Sequence, residues 1–535
     1  MIRYRFLTAA VCALLAAAPA LAAPPADDST RDAKALADKI DKLIAERWAK
    51  EKVTPAPAAD DAEFLRRATL DLAGRIPLVS EVRTFLADPA PDKRARAIER
   101  LLKGPGYVNH FANTWQKLLV PENDPTNFEL LLNVPPFQAW VRRQFSENVP
   151  YDKMVRELLT APVVSDGQAA IFRLQRGERT EPSPMLFYLA KEAKPEELAA
   201  ATSRLFLGVK LECAQCHNHP FAKWRREQFW ETAAFFAGLS RDTNRFGTTR
   251  ELTDRREMAI PGTDRVVQAN FLDGSEPRWK YKVGPRVTLA EWVTSADNPF
   301  FARAAANRLW AHFFGIGIVD PVDDLGDDKA EPSHPELLDV LAREFAAHKF
   351  DLKFLIRAIT LSKTYQLTSA YTDPSQEELR LFAKMPVKGM TAEQLFDSVS
   401  AATGYREQGG PQNPFFGANT PRSEFLTKFA SQDKRTESTT SILQALALMN
   451  GKLVADATNA ERSVTLAGIA DAPFLDTAGK VEALYLGTLS RLPRSQERER
   501  FVKYIEDGGA KKDRKQALAD VFWALLNSSE FMLNH

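Results

Sequence analysis

Residue spacing predicts a mainly α-helical protein, in which two helical domains are joined by a segment with a small β-hairpin. Three observations carry this prediction. Apolar side chains recur at spacings of three and four through most of the chain, cap and stop residues bracket those runs, and the pattern lapses only between residues 242 and 289.

In chain order, residues 32–50 form a charged amphipathic helix, and Pro55 and Pro57 make 53–60 an extended spacer. Residues 196–207 read as a helix stopped near Gly208, and 223–237 as another, rich in Trp224, Phe229, Trp230, Phe235 and Phe236. In the connecting segment, Val266, Val267 and Phe271 precede a polar turn at Asp273-Gly274. Trp279, Tyr281 and Val283 then alternate, so the hairpin is expected to fold about that turn. Asp297-Asn298-Pro299 opens a helix through Phe300, Phe301, Ala304, Leu309 and Phe313, which Gly315 ends. Capping boxes are expected where Ser333 precedes Glu336, Ser375 precedes Glu378 and Thr391 precedes Gln394, because each hydroxyl and each later side chain can satisfy the other's free backbone donor. Gly, Pro and Asn make 409–422 an exposed loop. Leu518, Val521, Phe522, Leu525 and Leu526 form one stripe of a helix within 513–533.

The first residues read as a signal peptide over 1–22. Arg3 and Arg5 precede an apolar run, and Ala20-Leu21-Ala22 supplies small residues for cleavage. That run, from Phe6 to Ala18, is roughly 13 residues against the roughly 20 that span a bilayer. Val11, where a lipoprotein signal wants a small residue, argues against an anchor at Cys12. The expected product is periplasmic or otherwise exported, without a membrane span after cleavage. The domains are then 30–241, a linker 242–289, and 290–535. Lys plus Arg is 71 and Asp plus Glu is 70, which gives no electrostatic footprint for nucleic acid. With 44% hydrophobic residues the chain can build sizeable cores.

The remaining two cysteines fall in Cys213-Ala214-Gln215-Cys216-His217. This spacing matches c-type haem attachment, in which the two thiols bond the porphyrin edge and the adjacent His217 binds iron. The expected cofactor is haem c, with the chain in electron transfer or a redox step. The aromatic residues of 223–237 could wall the porphyrin, and Lys223, Arg225 and Arg226 could pair with its propionates or form a solvated helix face. A sixth ligand could come from His110, His312, Met154 or Met185. Other chemistries stay open. With His219 added, Cys213, Cys216 and His217 offer ligands for zinc or another transition metal, although four ligands in seven residues wrap one ion poorly. The cysteines could also form a redox dithiol or a structural disulfide.

The run Phe206-Leu207-Gly208-Val209-Lys210-Leu211-Glu212-Cys213 through His217-Asn218-His219-Pro220-Phe221 resembles the planctomycete cytochrome-c-like domain, domain of unknown function 1549. Phe64-Leu65-Arg66-Arg67 and Asn148-Val149-Pro150-Tyr151-Asp152 fit its course. Asn298-Pro299-Phe300-Phe301-Ala302-Arg303, Asn307-Arg308-Leu309-Trp310 and Ser333-His334-Pro335-Glu336-Leu337-Leu338 are similar to domain of unknown function 1553. The resemblance implies an exported protein, often found beside a sulfatase-like one. Its partners would be a redox protein or, on the metal-stabilised scaffold reading, an exported polysaccharide- or sulfate-processing enzyme. This chain has no second cysteine-cysteine-histidine motif, so the reading is of a single haem.

Two further groups are candidates. Asp320, Asp323, Asp324, Asp327 and Asp328 precede His334 and could hold calcium or simply be solvated, and an enzyme acting through this stretch is a third class. Arg303, Asn307, Arg308 and His312 lie at helical spacing and could line a polar pocket or serve as buried anchors. No phosphate loop, nucleophile elbow or His-Glu-x-x-His motif occurs, so whether the chain is an enzyme stays open.

Overall fold

The structure, a computed structural model, describes residues 28–121, 128–163, 176, 181–220, 222–241, 249–326, 330–406, 420–429, 454, 458–459 and 463–535. Residues 1–22, Cys12, Phe221, Asp327, Asp328 and most of 409–422 lie outside the described residues. The protein is mainly α, and its strands, among the described residues, form three two-stranded antiparallel sheets. Among the same residues no helix is long and apolar enough to cross a membrane.

Local signals explain most helices. The first, Asp28–Glu51, buries Ala33, Leu36, Ala37, Ile40 and Ile44 along one stripe. Phe301–Phe314 begins where Asn298 Oδ1 accepts the backbone N–H groups of Phe300 and Phe301 at 2.9 and 3.0 Å, and it ends at Gly315, φ 73°. Asp513 caps Arg514–Leu526 through the N–H of Lys515 at 2.8 Å. Of the expected capping boxes, that of Thr391 and Gln394 forms, at the start of Ala392–Thr403. The other two do not. The Ser333 hydroxyl is drawn to the Ile318 carbonyl, and Ser375 is held by the Asp373 carboxylate in a short 3-10 turn, so neither reaches a helix N-terminus.

The hairpin folds elsewhere than expected. Val266–Gln268 pairs backward with Glu257–Ala259, and Leu239–Arg241 pairs with Thr249–Glu251. Gly274 does turn the chain (φ 84°), but the alternating aromatics beyond it are used singly. Phe271 stacks on Trp292 at 4.8 Å, Trp279 packs between Phe235 and Arg256, and Tyr281 is 89% exposed. No apolar face remains to pair a second strand.

The described core residues form two clusters, and neither stays within one of the expected domains. The larger runs from Ala33 to Met385 and takes in Leu486; the smaller unites Leu70 and Ile76 with residues of 392–531. Helix Asp61–Ala73 serves both, with Phe64, Leu65, Ala68 and Leu72 in the first and Leu70 in the second. Its polar residues are buried too. Asp71 Oδ1 accepts from Lys388 Nζ at 2.9 Å and Asn534 Nδ2 at 2.7 Å, while its Oδ2 accepts from the Tyr365 hydroxyl at 2.9 Å. Burial and the Asp71 charge hold the Tyr365 phenol well above its usual range. Arg66 donates to the carbonyls of Thr488 and Phe531 at 2.9 and 2.8 Å, and burial draws its pKa down to about 10. Arg67 donates to Tyr365 and Leu367 carbonyls at 2.7 and 2.8 Å and pairs with Glu63.

Lys388→Met removes the ammonium that pairs with buried Asp71, so unfolding free energy should fall by about 3–5 kcal/mol in urea titrations. Adding Asp71→Asn should recover part of the loss. A fall below about 1 kcal/mol for Lys388→Met would show that the ion pair does not hold the helix.

Candidate functional site: the cysteine-histidine turn

Helix Pro195–Thr202 continues as one wider turn, Ser203–Leu207, and stops at Gly208, φ 66°. Glycine is required there: a Cβ would stand 2.6 Å from Leu325 Cδ1 and 3.2 Å from Ala304 Cβ. The Gly208 carbonyl accepts from the Leu325 N–H at 2.7 Å, and Lys210 faces Asp323 at 3.4 Å. Gly326 is pressed against Trp224, where a Cβ would meet the indole at 2.8 Å. The segment carrying Asp320, Asp323 and Asp324 is therefore brought against the cysteine window, a juxtaposition that spacing along the chain did not reveal.

The window itself is a 3-10 turn, Glu212–Ala214, followed by a tight bend. Its backbone is pinned from inside. Ala214 is buried, and the Gln215 carbonyl accepts from Trp230 Nε1 at 3.1 Å and Arg226 Nε at 3.3 Å. Arg226 also donates to the Pro261 carbonyl at 2.7 Å, and its N–H to Asn218 Oδ1 at 3.0 Å, which ties the turn to the hairpin. With Ala214 inward, Cys213, Cys216 and His217 point outward: all three are exposed, and both thiols are free.

The two histidines differ in a way that bears on metal binding. His217 Nδ1 lies 2.7 Å from the Asn218 carbonyl, which can only accept, so in the neutral ring Nδ1 carries the proton and Nε2 keeps its lone pair. Such a backbone anchor is how proteins orient an imidazole ligand. His219 is the reverse. Its Nδ1 accepts the Ala222 N–H at 2.8 Å, so in the neutral ring the proton sits on Nε2, and its own N–H is bonded to the Trp224 carbonyl. Among the described residues, no group of three or more His, Cys, Asp and Glu side chains stands close enough to hold a metal ion.

The other candidate residues are spent on packing. Trp224, Phe229, Trp230, Phe235 and Phe236 are buried in the larger core, so they offer no open wall to a porphyrin, a correction to the expectation from their sequence. Met154 and Met185 are core residues, and His110 packs against Phe111 and His312. Arg303 pairs with Asp339, Asn307 exchanges hydrogen bonds with the Val319 backbone, Arg308 donates to the Arg204 and Leu205 carbonyls, and His312 donates to the Asp71 carbonyl. They are anchors facing separate partners. Lys223 lies over the Trp224 ring, and Arg225 is exposed beside the turn. His334 is buried against Phe382, with Nδ1 3.1 Å from the Ser333 hydroxyl. Burial, Arg47 and Arg380 push its pKa down to about 4.

Residues 39–241 match the family described as Protein of unknown function (DUF1549), and 285–505 match Protein of unknown function (DUF1553). No curated protein and no solved structure matches the chain.

Two measurements follow. Arg226→Ala removes two anchors from the turn, so hydrogen exchange at 213–217 should quicken by about 1–2 kcal/mol of local stability while the global midpoint shifts little; unchanged exchange would mean the turn is held otherwise. His334 must stay neutral in the folded state, whereas in the unfolded chain it titrates near 6.5. Its contribution is therefore complete above about pH 6.5 and lost, by up to about 3 kcal/mol, as pH falls toward 4. Denaturation from pH 7.5 to 4.5 should show a shallower decline in His334→Gln than in the parent.

Proposed function

Because the chain belongs to the paired families DUF1549 and DUF1553, neither of which carries an assigned activity, we propose a function from its cysteine-histidine turn: an exported single-haem protein of the c type that carries electrons. One observation carries the reading. Two free thiols three positions apart and an imidazole with a bare Nε2 are presented together on an exposed turn whose backbone is fixed from within.

The donor set fits haem c in its attachment and its ligand. Cys213 and Cys216 would hold the porphyrin edge through thioethers, and His217 would bind iron through Nε2. A haem bound there would supply a one-electron couple. The chain's own residues do the positioning: Asn218 sets the His217 ring through Nδ1, Trp230 and Arg226 fix the Gln215 carbonyl between the cysteines, and Gly208 with Leu325 sets where the turn begins. Lys223 and Arg225 put positive charge beside the turn, suited to propionates or to an acidic redox partner. Export over residues 1–22 supports the reading, since haem attachment of this kind belongs to the periplasmic side.

The alternative, a zinc-stabilised scaffold using Cys213, Cys216, His217 and His219, is less well supported because His219 keeps its ligand-ready nitrogen on an internal hydrogen bond.

The test is expression with export and an active cytochrome-maturation system. The purified chain should show a haem absorbance band and one added haem mass, both absent from Cys213→Ala/Cys216→Ala. His217→Ala should keep some mass and change the spectrum. An unmodified mass with no band would defeat the proposal, and stoichiometric zinc lost on Cys213→Ala would establish the scaffold instead.

A further inference from the structure

Beside the cysteine turn lies a pocket of about 360 Å³, within the roughly 300–1,000 Å³ typical of small-molecule sites. Part of its wall is apolar, formed by Leu119 and Val120 at the end of helix Pro105–Leu119 and by Ala200 and Leu205 from helix Pro195–Thr202 and the turn after it; the rest is polar and includes Glu197 and Glu212. Two cations enter it, Lys191 and Arg204.

Their partners are unequal. Arg204 faces the Glu212 carboxylate at 3.7 Å. Lys191 is partly buried, and its ammonium donates to the Leu119 carbonyl at 3.0 Å and sits 4.0 Å from the centre of the Phe187 ring. Neither partner carries a negative charge, and among the described residues no carboxylate stands within ion-pair distance of Lys191. Glu197 lines the pocket but is exposed, where water screens it. A desolvated cation with no carboxylate in ion-pair contact is costly, and the cost shows: burial first, then the nearby Arg204, draw the Lys191 pKa down to about 8 against the weaker opposing pull of Glu197. An anion placed in the pocket would lower that cost, and the apolar side formed by Leu119, Val120, Ala200 and Leu205 would favour one with a hydrocarbon body.

We propose that this pocket binds a small carboxylic acid with an apolar body, its carboxylate seated on Lys191 and Arg204 and its hydrocarbon against Leu119, Val120, Ala200 and Leu205. The site does not use either thiol, so it stands whether or not the turn carries haem.

The experiment is calorimetric titration of the full chain with hexanoate, its neutral amide hexanamide, and acetate. Hexanoate should bind saturably, with the amide and acetate each weaker by about tenfold or more, because one lacks the charge and the other the apolar body. Lys191→Met, which keeps most of the side-chain stem, should weaken hexanoate by about tenfold or more, while Lys191→Arg should retain binding. In an acylation assay, hexanoate should protect Lys191. Repeating the titration with Cys213→Ser/Cys216→Ser separates this site from the haem reading, since binding there should be unchanged. Equal binding of acid and amide, unaltered affinity in Lys191→Met, or no saturable binding would each overturn the proposal.

Discussion

A carboxylate shut away from water is tolerable only if donors reach it, and Asp71 draws its donors from the far side of the sequence. Lys388, Tyr365 and Asn534 converge on its two oxygens, and one turn earlier on the same helix Arg66 and Arg67 satisfy carbonyls from 365–367 and from the C-terminal region. Each group alone would be expensive to bury, and together they balance charge and hydrogen bonds. The helix that carries them can be buried on all sides only because these distant segments are already in place. Both hydrophobic cores meet at this helix, so its polar residues set the relation between them.

That constraint reaches the cysteine turn through packing. The helix that ends at Gly208 has no clearance toward Leu325, and Trp224 has none toward Gly326, so the turn is oriented by residues from the second half of the chain. What it presents outward is set by what is held inward: with Ala214 buried and the Gln215 carbonyl occupied, the thiols and His217 have only the outer side available. The pocket at Lys191 lies on the inner flank of the same element, with Glu212 common to its wall and the turn.

Sequence alone made the helices legible wherever the signal was local. Asn298, Gly315, Thr391 and Asp513 start or stop helices because a side chain or a positive φ acts within four residues. It failed where the partner is remote. Ser333 looked like a cap until the Ile318 carbonyl claimed its hydroxyl, and Trp279 and Tyr281 alternated like a strand although the first packs on Phe235 and the second is exposed. Nothing nearby in the chain named the carbonyl acceptors of Arg66 and Arg67, which lie 298 to 467 residues away. The cysteine-histidine spacing was plain at once, whereas the opposite tautomers of His217 and His219 depend on which backbone groups the fold sets beside them. Lys191 carried no motif at all; that it enters a pocket with Arg204, without a carboxylate in ion-pair contact among the described residues, is a property of three-dimensional surroundings.

Because helix Asp61–Ala73 gives one face to each core, the two family segments are not interchangeable cassettes. Recombination between them would join a first segment to a second whose lysine and tyrosine had not been matched to its aspartate, and the buried contacts around Asp71 would be lost. Shuffling is cheap for domains that meet only through a linker. Here the seam runs through a shared helix, so the two segments have to fit each other residue by residue.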